Sequence, residues 1–302
     1  MTAIDPFRLE IEAASGPLQT ITPITKGFSF EKKFKLTSER GDFLVRLSSI
    51  AAYAAKAQEF ALMQQLYANG VHCNQPILIL AAEASATVCT LYRYLAGVDA
   101  EENISNLSAA TQYQIGVAAG QDLRRINNLS RATNTWKARK WQKHERYVKR
   151  YFQQAYRFKN DERILRFIET HYDPTEAAQD YLQHDDFHLG NLVLNGQHYG
   201  GILDFERYDW GDPLHEFVKL EWFTWPVSEA FARGQVAGYF GQRRLSNAEC
   251  RQIAVYIAMS VLSTIVWTLE FHPHTWPEME GQVLSILARY DDFTRIRPPW
   301  AL

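Results

Sequence analysis

The sequence has little of several features that would assign a protein to a class at once. It contains three cysteines, Cys73, Cys89 and Cys250, and no two of them have the CxxC spacing of a structural zinc site. A small, odd number of cysteines disfavours a disulfide framework and indicates a reducing compartment, the cytoplasm. The formal net charge of the 302 residues is −2, so the composition gives no reason to expect a polyanionic partner for the whole molecule.

Leader, repeat and linker signals are also missing. The N-terminus has no basic stretch followed by an apolar run, so no signal peptide is expected. The longest uncharged stretch, residues 253–269, is close to the lower length limit of a membrane span. Serine and threonine residues dilute it, which favours a buried helix and no membrane partner. A length of 302 residues with 46% hydrophobic and 22% charged residues is typical of a globular protein with two lobes.

The two ends of the chain differ in pattern. Between Ile21 and Ser49, alternating runs and a polar turn predict two antiparallel strands, and residues 51–69 predict a helix that Gly70 ends. Strand-like runs return in PILIL and TVCTLYRYL, and the chain is mostly helical from about Ser105 onward. The pattern predicts an α+β protein with a small antiparallel-sheet lobe, residues 1–95, and a larger, mainly helical lobe, residues 96–302.

The most informative segment is HDDFHLGN, from His184 to Asn191. In it Asp186 is followed five residues later by Asn191, and a second carboxylate, Asp204, follows within ILDFE. This is the order and spacing of the phosphoryl-transfer motif H-x-D-x-x-x-x-N followed by D-F-G. The chemistry needs a carboxylate for the acceptor hydroxyl and two oxygen ligands for magnesium. We therefore expect Asp186 to orient and deprotonate a hydroxyl, and Asn191 and Asp204 to hold Mg²⁺.

The sequence between Asn191 and Asp204 supports this assignment. The dipeptide Asn195-Gly196 is a strong hairpin-turn signal between two short apolar runs. A hairpin brings its two ends together, so the oxygens of Asn191 and Asp204 are expected to face one ion.

Other interpretations of the motif region remain open. HDDFH could be a polar loop, or His184 and His188 could form an i, i+4 metal pair with Asp185 or Asp204, as in a metal-dependent hydrolase. That spacing requires a helix, whereas the segment looks like a loop that enters a strand. Asp212, just before Pro213, is interpreted as a helix cap rather than a catalytic residue.

Three segments together, HDDFHLGN, ILDFE and GDPLHEF, resemble the aminoglycoside phosphotransferase family, which includes choline kinase-like and homoserine kinase-like enzymes. The resemblance covers most of the chain. It implies the two-lobed fold of protein kinases, and a Mg²⁺-dependent enzyme that moves the γ-phosphate of ATP or GTP to a hydroxyl of a small molecule. The implied partners are the nucleotide and this acceptor.

The resemblance extends to the nucleotide side. Arg46 stands where the family usually has a phosphate-binding lysine, and Glu59 stands where the ion-pair partner of that lysine belongs. Ser29, in the turn of the strand pair that would cover the nucleotide, could donate to a phosphate. The backbone near Tyr94, in the segment that would join the lobes, would bind adenine.

The chain departs from the family pattern at three positions. Asp185 and Glu206 replace glycines, and Arg46 replaces the lysine, with which arginine is not interchangeable. Arg46 could instead be an edge-strand charge, with Lys33 or Lys35 taking the phosphates. A catalytically inactive relative that only binds nucleotide is therefore an alternative.

Acidic side chains in the second lobe could attract a cationic aminoglycoside, although most are expected to be surface charges. They are Glu206, Asp209, Glu216, Glu221, Glu270, Asp291 and Asp292. Trp222, Trp225 and Trp267 could line a pocket, but aromatic residues in a helical lobe are core residues by default.

A basic segment offers a function of another class. Residues 136–159 contain nine basic residues and one acid, with aromatic residues interleaved. Basic residues with stacking aromatics suit nucleic acid. The same spacing fits an amphipathic helix whose aromatic stripe packs on the lobe, and we favour this helix over a nucleic-acid partner.

Overall fold

The computed structural model describes residues 3–25, 31–175 and 178–301. The helices are α1 (Arg8–Ser15), α2 (Tyr53–Ala68), α3 (Ala100–Asn103), α4 (Ala109–Ile126), α5 (Trp136–Tyr151), α6 (Asp161–His171), α7 (Phe217–Lys219), α8 (Glu229–Phe240), α9 (Asn247–Phe271) and α10 (Trp276–Tyr290). The strands are β1 (Leu18–Ile24), β2 (Lys32–Ser38), β3 (Gly41–Ser49), β4 (Pro76–Ala82), β5 (Thr87–Arg93), β6 (Val98–Asp99), β7 (Ser130–Arg131), β8 (Asp180–Gln183), β9 (Leu192–Asn195), β10 (His198–Ile202) and β11 (Asp209–Gly211). An antiparallel sheet followed by a mainly helical part confirms the predicted fold class.

The chain forms two compact units. The first contains Met1–Val98 and Gly200–Glu206, and the second contains Asp99–Tyr199 and Arg207–Leu302. The first unit therefore also contains the short segment Gly200–Glu206, which a single boundary after residue 95 would assign to the second lobe. This segment carries Asp204, so the second motif carboxylate belongs to the same unit as the sheet.

The first unit is built on a five-stranded antiparallel sheet in the order β1-β2-β3-β5-β4. Both predicted strands are present, and they meet at a turn in which Gly41 has φ of 103°. Side chains alternate between the two faces of a strand. Phe43, Val45 and Leu47 of β3 are therefore buried in one core with Ile4 and Phe7, while Arg46 belongs to the opposite face.

Helix α2 ends as the sequence predicts. Gly70 has φ of 78°, a conformation that glycine adopts without the strain of a Cβ. Its amide donates to the carbonyl of Tyr67 at 3.0 Å, and the amide of Val71 donates to that of Leu66 at 3.1 Å. This pair of bonds is the Schellman motif, which satisfies carbonyl groups at the helix end.

The second unit is organised around α9. Among the described residues, α9 is the one helix that is long and apolar enough to cross a membrane, by length and composition only. However, 67% of its most apolar window is buried inside the protein. Its apolar side chains from Ile253 to Val266 belong to the main core of the unit. The prediction of a buried helix is confirmed. Trp222 and Trp225 are core residues as well, whereas Trp267 is 45% exposed.

Two helices of this unit approach each other backbone to backbone. Gly116 and Gly120 of α4 face α8, and Gly234 and Gly238 of α8 face α4. A Cβ added at any of these four positions would lie 2.0 to 2.2 Å from a carbonyl oxygen of the other helix. Four glycines at four-residue spacing thus allow a contact that no larger residue permits.

The basic segment forms the amphipathic helix α5 over Trp136–Tyr151. Trp136 and Tyr151 are buried, and Trp141, Tyr147 and Tyr156 pack against the same core. These rings are therefore used in folding, as the amphipathic-helix interpretation predicts, and Phe152 is the exposed aromatic of the segment.

Candidate active site

One group of candidate residues is in a loop of the second unit that follows β8. Asp186 lies in this loop with 16% of its side chain exposed, and its Oδ1 is 2.8 Å from Nζ of Lys219. The side-chain amide of Asn191, at the end of a short 3₁₀ turn, donates to the Asp186 carbonyl at 2.9 Å and to its Oδ2 at 3.2 Å. Burial raises the pKa of Asp186, but the ion pair and hydrogen bond with Lys219 bring it below its ordinary value. Asp186 is therefore an ionised carboxylate in a fixed orientation.

The backbone of this loop is held by a buried carboxyl group. Glu216 is 1% exposed and accepts the amides of His184 and Asp185, the latter at 3.2 Å. Burial, assisted by the negative charge of Asp185, raises the pKa of Glu216 to about 8. Asp185 has φ of 60°, which explains why glycine suits this position. The loop conformation is retained although the glycine is not.

The side chain of Asp185 has a role that a glycine could not have. Its Oδ1 is 2.9 Å from Nδ1 of His215, and Nε2 of His215 is 2.7 Å from Nζ of Lys140. Burial lowers the pKa of His215 to about 4, with the charge of Lys140 adding to the effect, so this imidazole is neutral. An ammonium that donates to Nε2 leaves Nδ1–H to donate to the carboxylate. The three side chains form one polarised chain from α5 to the loop.

A pH dependence follows from this chain. Burial lowers the pKa of Lys140 from 10.5 to about 8, against the attraction of Asp185. The folded protein therefore binds fewer protons than the unfolded chain between these values, so stability from this group rises with pH above about 8 and is lost as pH falls toward 8. In the wild type, the free energy of unfolding should therefore increase by at most about 3 kcal/mol between pH 8 and pH 10.5 because of this group. We expect this increase to be absent in Lys140→Met. Urea unfolding at several pH values measures it, and parallel profiles of the two proteins would contradict it.

His188 does not form the alternative metal pair. Residues 184–188 form a loop rather than the helix that an i, i+4 pair requires. In the ranges that the structure describes, no three His, Cys, Asp or Glu side chains are grouped to hold a metal ion. Nδ1 of His188 accepts the amide of Gly190 at 3.2 Å, and its Nε2 is 3.6 Å from Oδ1 of Asp186. Burial, with the charges of Lys219 and Arg207, lowers the pKa of His188 to about 4.

Another group of candidate residues lines a pocket in the first unit. Arg46, Glu59 and Asp204, three residues that the sequence singled out, line it together with Tyr92 and others. The expected ion pair is present, with Nη1 of Arg46 3.2 Å from Oε1 of Glu59. Because β3 is the middle strand of the sheet, the interpretation of Arg46 as an edge-strand charge is wrong.

Arg46 has more partners than the sequence indicated. Its guanidinium also forms ion pairs with Glu31 and with Glu206, the residue that stands in place of a glycine. Lys56 belongs to the same network, because its Nζ lies 2.7 Å from Oε1 of Glu31 and 2.7 Å from Oε2 of Glu59. Burial alone would lower the pKa of Arg46, but Glu59 and Glu31 raise it. A permanently charged guanidinium is thus fixed in the pocket by three carboxylates.

Of the two alternative phosphate ligands, Lys33 is the better placed. It lies directly opposite Arg46 in the β2–β3 pairing. Burial and the charge of Arg46 lower the pKa of Lys33, against the attraction of Asp204. Lys35 is instead paired with Asp42 at 2.7 Å and lies over the ring of Tyr94. Lys33 is therefore the alternative ligand that lies beside Arg46 on the sheet.

The residues predicted to hold magnesium have suitable donor atoms. The amide nitrogen of Asn191 is used by Asp186, so its amide oxygen is the atom that can ligate a metal. Asp204 is exposed with φ of 61°, and its Oδ1 accepts the Glu206 amide at a long 3.4 Å. Carboxylate and amide oxygens are the hard ligands that Mg²⁺ prefers.

The predictions for three further residues, Asp212, Tyr94 and Ser29, have different outcomes in the structure. Asp212 caps the turn that begins at Pro213, because its Oδ1 accepts the amide of Leu214 at 2.9 Å, which confirms the cap interpretation. Tyr94 follows β5 directly, and its own amide donates to the carbonyl of Asp42 at 3.0 Å. An adenine contact near Tyr94 stays a prediction and would use other backbone groups. Ser29 lies outside the described residues.

The sequence analysis missed the cations around the loop that carries Asp186. Lys219 follows Glu216 by three residues, the spacing of neighbours on one helical face, and this was the available signal. Lys140 and His215 had no such signal, because their contact joins elements that are 75 residues apart in the chain.

Comparisons with known proteins identify the family of the chain. Residues 20–248 match the model of the phosphotransferase enzyme family (APH), and the chain belongs to this family. Among curated proteins, no sequence matches the chain.

Among the solved structures that share the fold are several aminoglycoside phosphotransferases. The GDP complex of aminoglycoside 2′-phosphotransferase-IIIa is 14% identical, with coverage of 93% of this chain and 99% of that one and a TM-score of 0.64. A thermostable variant of APH(4)-Ia in a ternary complex with ADP and hygromycin B is 13% identical, with coverage of 93% and 98% and a TM-score of 0.63. The GDP and kanamycin complex of APH(2″)-IIIa is 15% identical, with coverage of 95% and 99% and a TM-score of 0.63.

Proposed function

We propose that the protein is a magnesium-dependent small-molecule kinase that moves the γ-phosphoryl group of ATP or GTP to an alcohol. The observation that carries the proposal is the loop carboxylate Asp186, which is ionised, held by Lys219 and Asn191, and mounted on a backbone fixed by Glu216. Such a carboxylate suits an acceptor hydroxyl that must be oriented and deprotonated.

The other residues have supporting roles in this proposal. Arg46 and Lys33 bind phosphate oxygens, and Glu59 keeps Arg46 in place. Asn191 and Asp204 are the proposed magnesium ligands. When bound, the ion would shield phosphate charge. Positioning and charge neutralisation then supply most of the rate, because phosphoryl transfer leaves the protein little covalent chemistry to do.

The residues that depart from the family pattern favour an active enzyme over an inactive relative that only binds nucleotide. Asp185 retains the loop conformation that a glycine would adopt, and its carboxylate is paired with His215. Arg46 keeps its charge and its ion pair with Glu59. The three buried cysteines are thiols rather than disulfides, which suits the cytoplasm, and we propose this compartment.

The acceptor class is a finer question. Structures that share the fold contain hygromycin B or kanamycin, so aminoglycosides are one class to test. Metabolite alcohols, as in choline kinase-like and homoserine kinase-like enzymes, are the other.

An acceptor screen tests the proposed function. The protein is incubated with Mg²⁺ and ATP or GTP and with a panel of aminoglycosides and metabolite alcohols, and products are identified by mass spectrometry. We expect at least one alcohol to gain a phosphoryl group, only when Mg²⁺ is present. Nucleotide binding without transfer to any panel member would favour the inactive relative.

A further inference from the structure

The guanidinium of Arg46 is bound by carboxylates at each of its three nitrogen atoms. Nε donates to Oε2 of Glu31 at 2.6 Å, and Nη1 donates to Oε1 of Glu59 at 3.2 Å. Nη2 lies 2.5 Å from Oε2 of Glu31 and also forms an ion pair with Oε1 of Glu206. A guanidinium binds a phosphate through two parallel hydrogen bonds, and both pairs of nitrogens that can donate in this way include Nη2. A phosphate that binds Arg46 in this way must therefore replace a carboxylate.

The three carboxylates differ in their burial and in their other partners. The side chain of Glu206 is 25% exposed, whereas those of Glu31 and Glu59 are 10% and 7% exposed. Lys56 holds Glu31 and Glu59 as well. Releasing either of these two would leave a buried carboxylate with one cation fewer, which costs more free energy than returning the more exposed carboxylate to water. Glu206 is therefore the carboxylate that a phosphate would displace.

The charges of the network also distinguish Glu206 from the other two carboxylates. Two cations, Arg46 and Lys56, balance the charges of the two more buried carboxylates. Lys33, opposite Arg46 on the sheet, and Asp204, which lines the same pocket as Arg46, add one charge of each sign. Glu206 is then an additional negative charge. Like charges repel each other, and partial burial weakens the screening by water, so this carboxylate opposes the approach of a phosphate.

We infer that Glu206 competes with the nucleotide phosphates for Arg46, and that this competition sets the affinity of the protein for ATP or GTP. The inference rests on the proposed function, because it concerns the phosphate-binding role of Arg46. A competing group inside the protein lowers the apparent affinity for a ligand in proportion to the fraction of molecules in which the site is available. Removing a competitor therefore strengthens phosphate binding, whereas removing a partner that only positions Arg46 weakens it.

The variant Glu206→Gln tests the inference, because glutamine keeps the shape of the side chain and removes its charge. Isothermal titration calorimetry in the presence of Mg²⁺ measures the binding of ATP and GTP and of the corresponding nucleosides, adenosine and guanosine, which have no phosphate. We expect the variant to bind the nucleotide about tenfold more tightly than the wild type, the scale of one charge-assisted hydrogen bond. The affinity for the nucleoside should be unchanged.

Two further variants serve as controls. Glu83→Gln changes an exposed glutamate of the same unit and should leave both affinities unchanged. Glu59→Gln removes the charge of the buried partner of Nη1 and should weaken nucleotide binding. Tighter nucleotide binding in either control would assign the effect to net charge rather than to competition for Arg46, and would overturn the inference.

The possible results separate this inference from the proposed function. A wild type that binds nucleotide, with a Glu206→Gln variant that binds it equally or more weakly, overturns the inference and leaves the proposed function in place. An equal gain in affinity for the nucleoside also overturns it, because the effect then does not involve the phosphates. If neither the wild type nor Glu206→Gln binds ATP or GTP, the proposed function fails together with the inference.

Discussion

Replacing Asp186 with asparagine is expected to lower kcat by a factor of about 10² to 10⁴, the typical contribution of a positioned general base. Asparagine keeps the shape of the side chain and an oxygen for the Asn191 amide, but it cannot accept the acceptor's proton. Nucleotide binding should remain nearly intact. The measurement compares turnover with the best acceptor from the screen and nucleotide affinity in the same preparation.

The control for this variant is Asp209→Asn. Asp209 is a carboxylate of the same unit, 38% exposed and paired with Arg139 at 3.2 Å. Surface ion pairs contribute little, so this change should leave turnover close to that of the wild type. Turnover that survives in Asp186→Asn would refute the assigned role, and equal losses in both variants would indicate a general effect of the substitution.

The second large effect concerns the contact between α4 and α8. Gly120→Ala would place a Cβ 2.0 Å from the carbonyl oxygen of Gln235, and backbone atoms on both sides leave no side chain to move aside. The two helices must separate, so we expect a loss of at least about 3 kcal/mol in unfolding free energy. Urea unfolding of the purified variant measures it.

Gly281 offers a matched control within another helix, α10. A Cβ added there meets nothing within 4 Å. Gly281→Ala should therefore stabilise the protein by up to about 1 kcal/mol, since alanine has the higher helix propensity. The same substitution is thus expected to have opposite signs at two positions. A small effect of Gly120→Ala would mean that α4 and α8 do not approach as closely as described.

Local patterns predicted the sheet and the end of α2 well. The alternation around Phe43, Val45 and Leu47 sets which face of β3 is buried, so Arg46 had to lie on the other face with its partners. The turn at Gly41 and the cap at Gly70 depend on neighbouring residues alone, and both are present. Such features follow from hydrogen bonding and side-chain volume within a few residues.

Charge pairing could not be predicted in the same way. Asp185 and Glu206 looked like defects in a glycine pattern, yet their carboxylates are paired with His215 and Arg46. The first partner lies 30 residues away, and the second lies much farther away along the chain, so no local spacing announces either of them. The partners of Glu221, which include Arg289 and Trp300, could not be predicted from local spacing either.

The most direct test of the account is thermal stabilisation by ATP and GTP, each with and without Mg²⁺, for the wild type and for Asp204→Ala. A ligand that binds only the folded state must raise its apparent stability. We predict a rise in melting temperature that requires Mg²⁺ and is lost in Asp204→Ala, because the variant lacks one of the two proposed magnesium ligands. A wild type that neither nucleotide stabilises, or a rise of equal size in Asp204→Ala, would contradict the account.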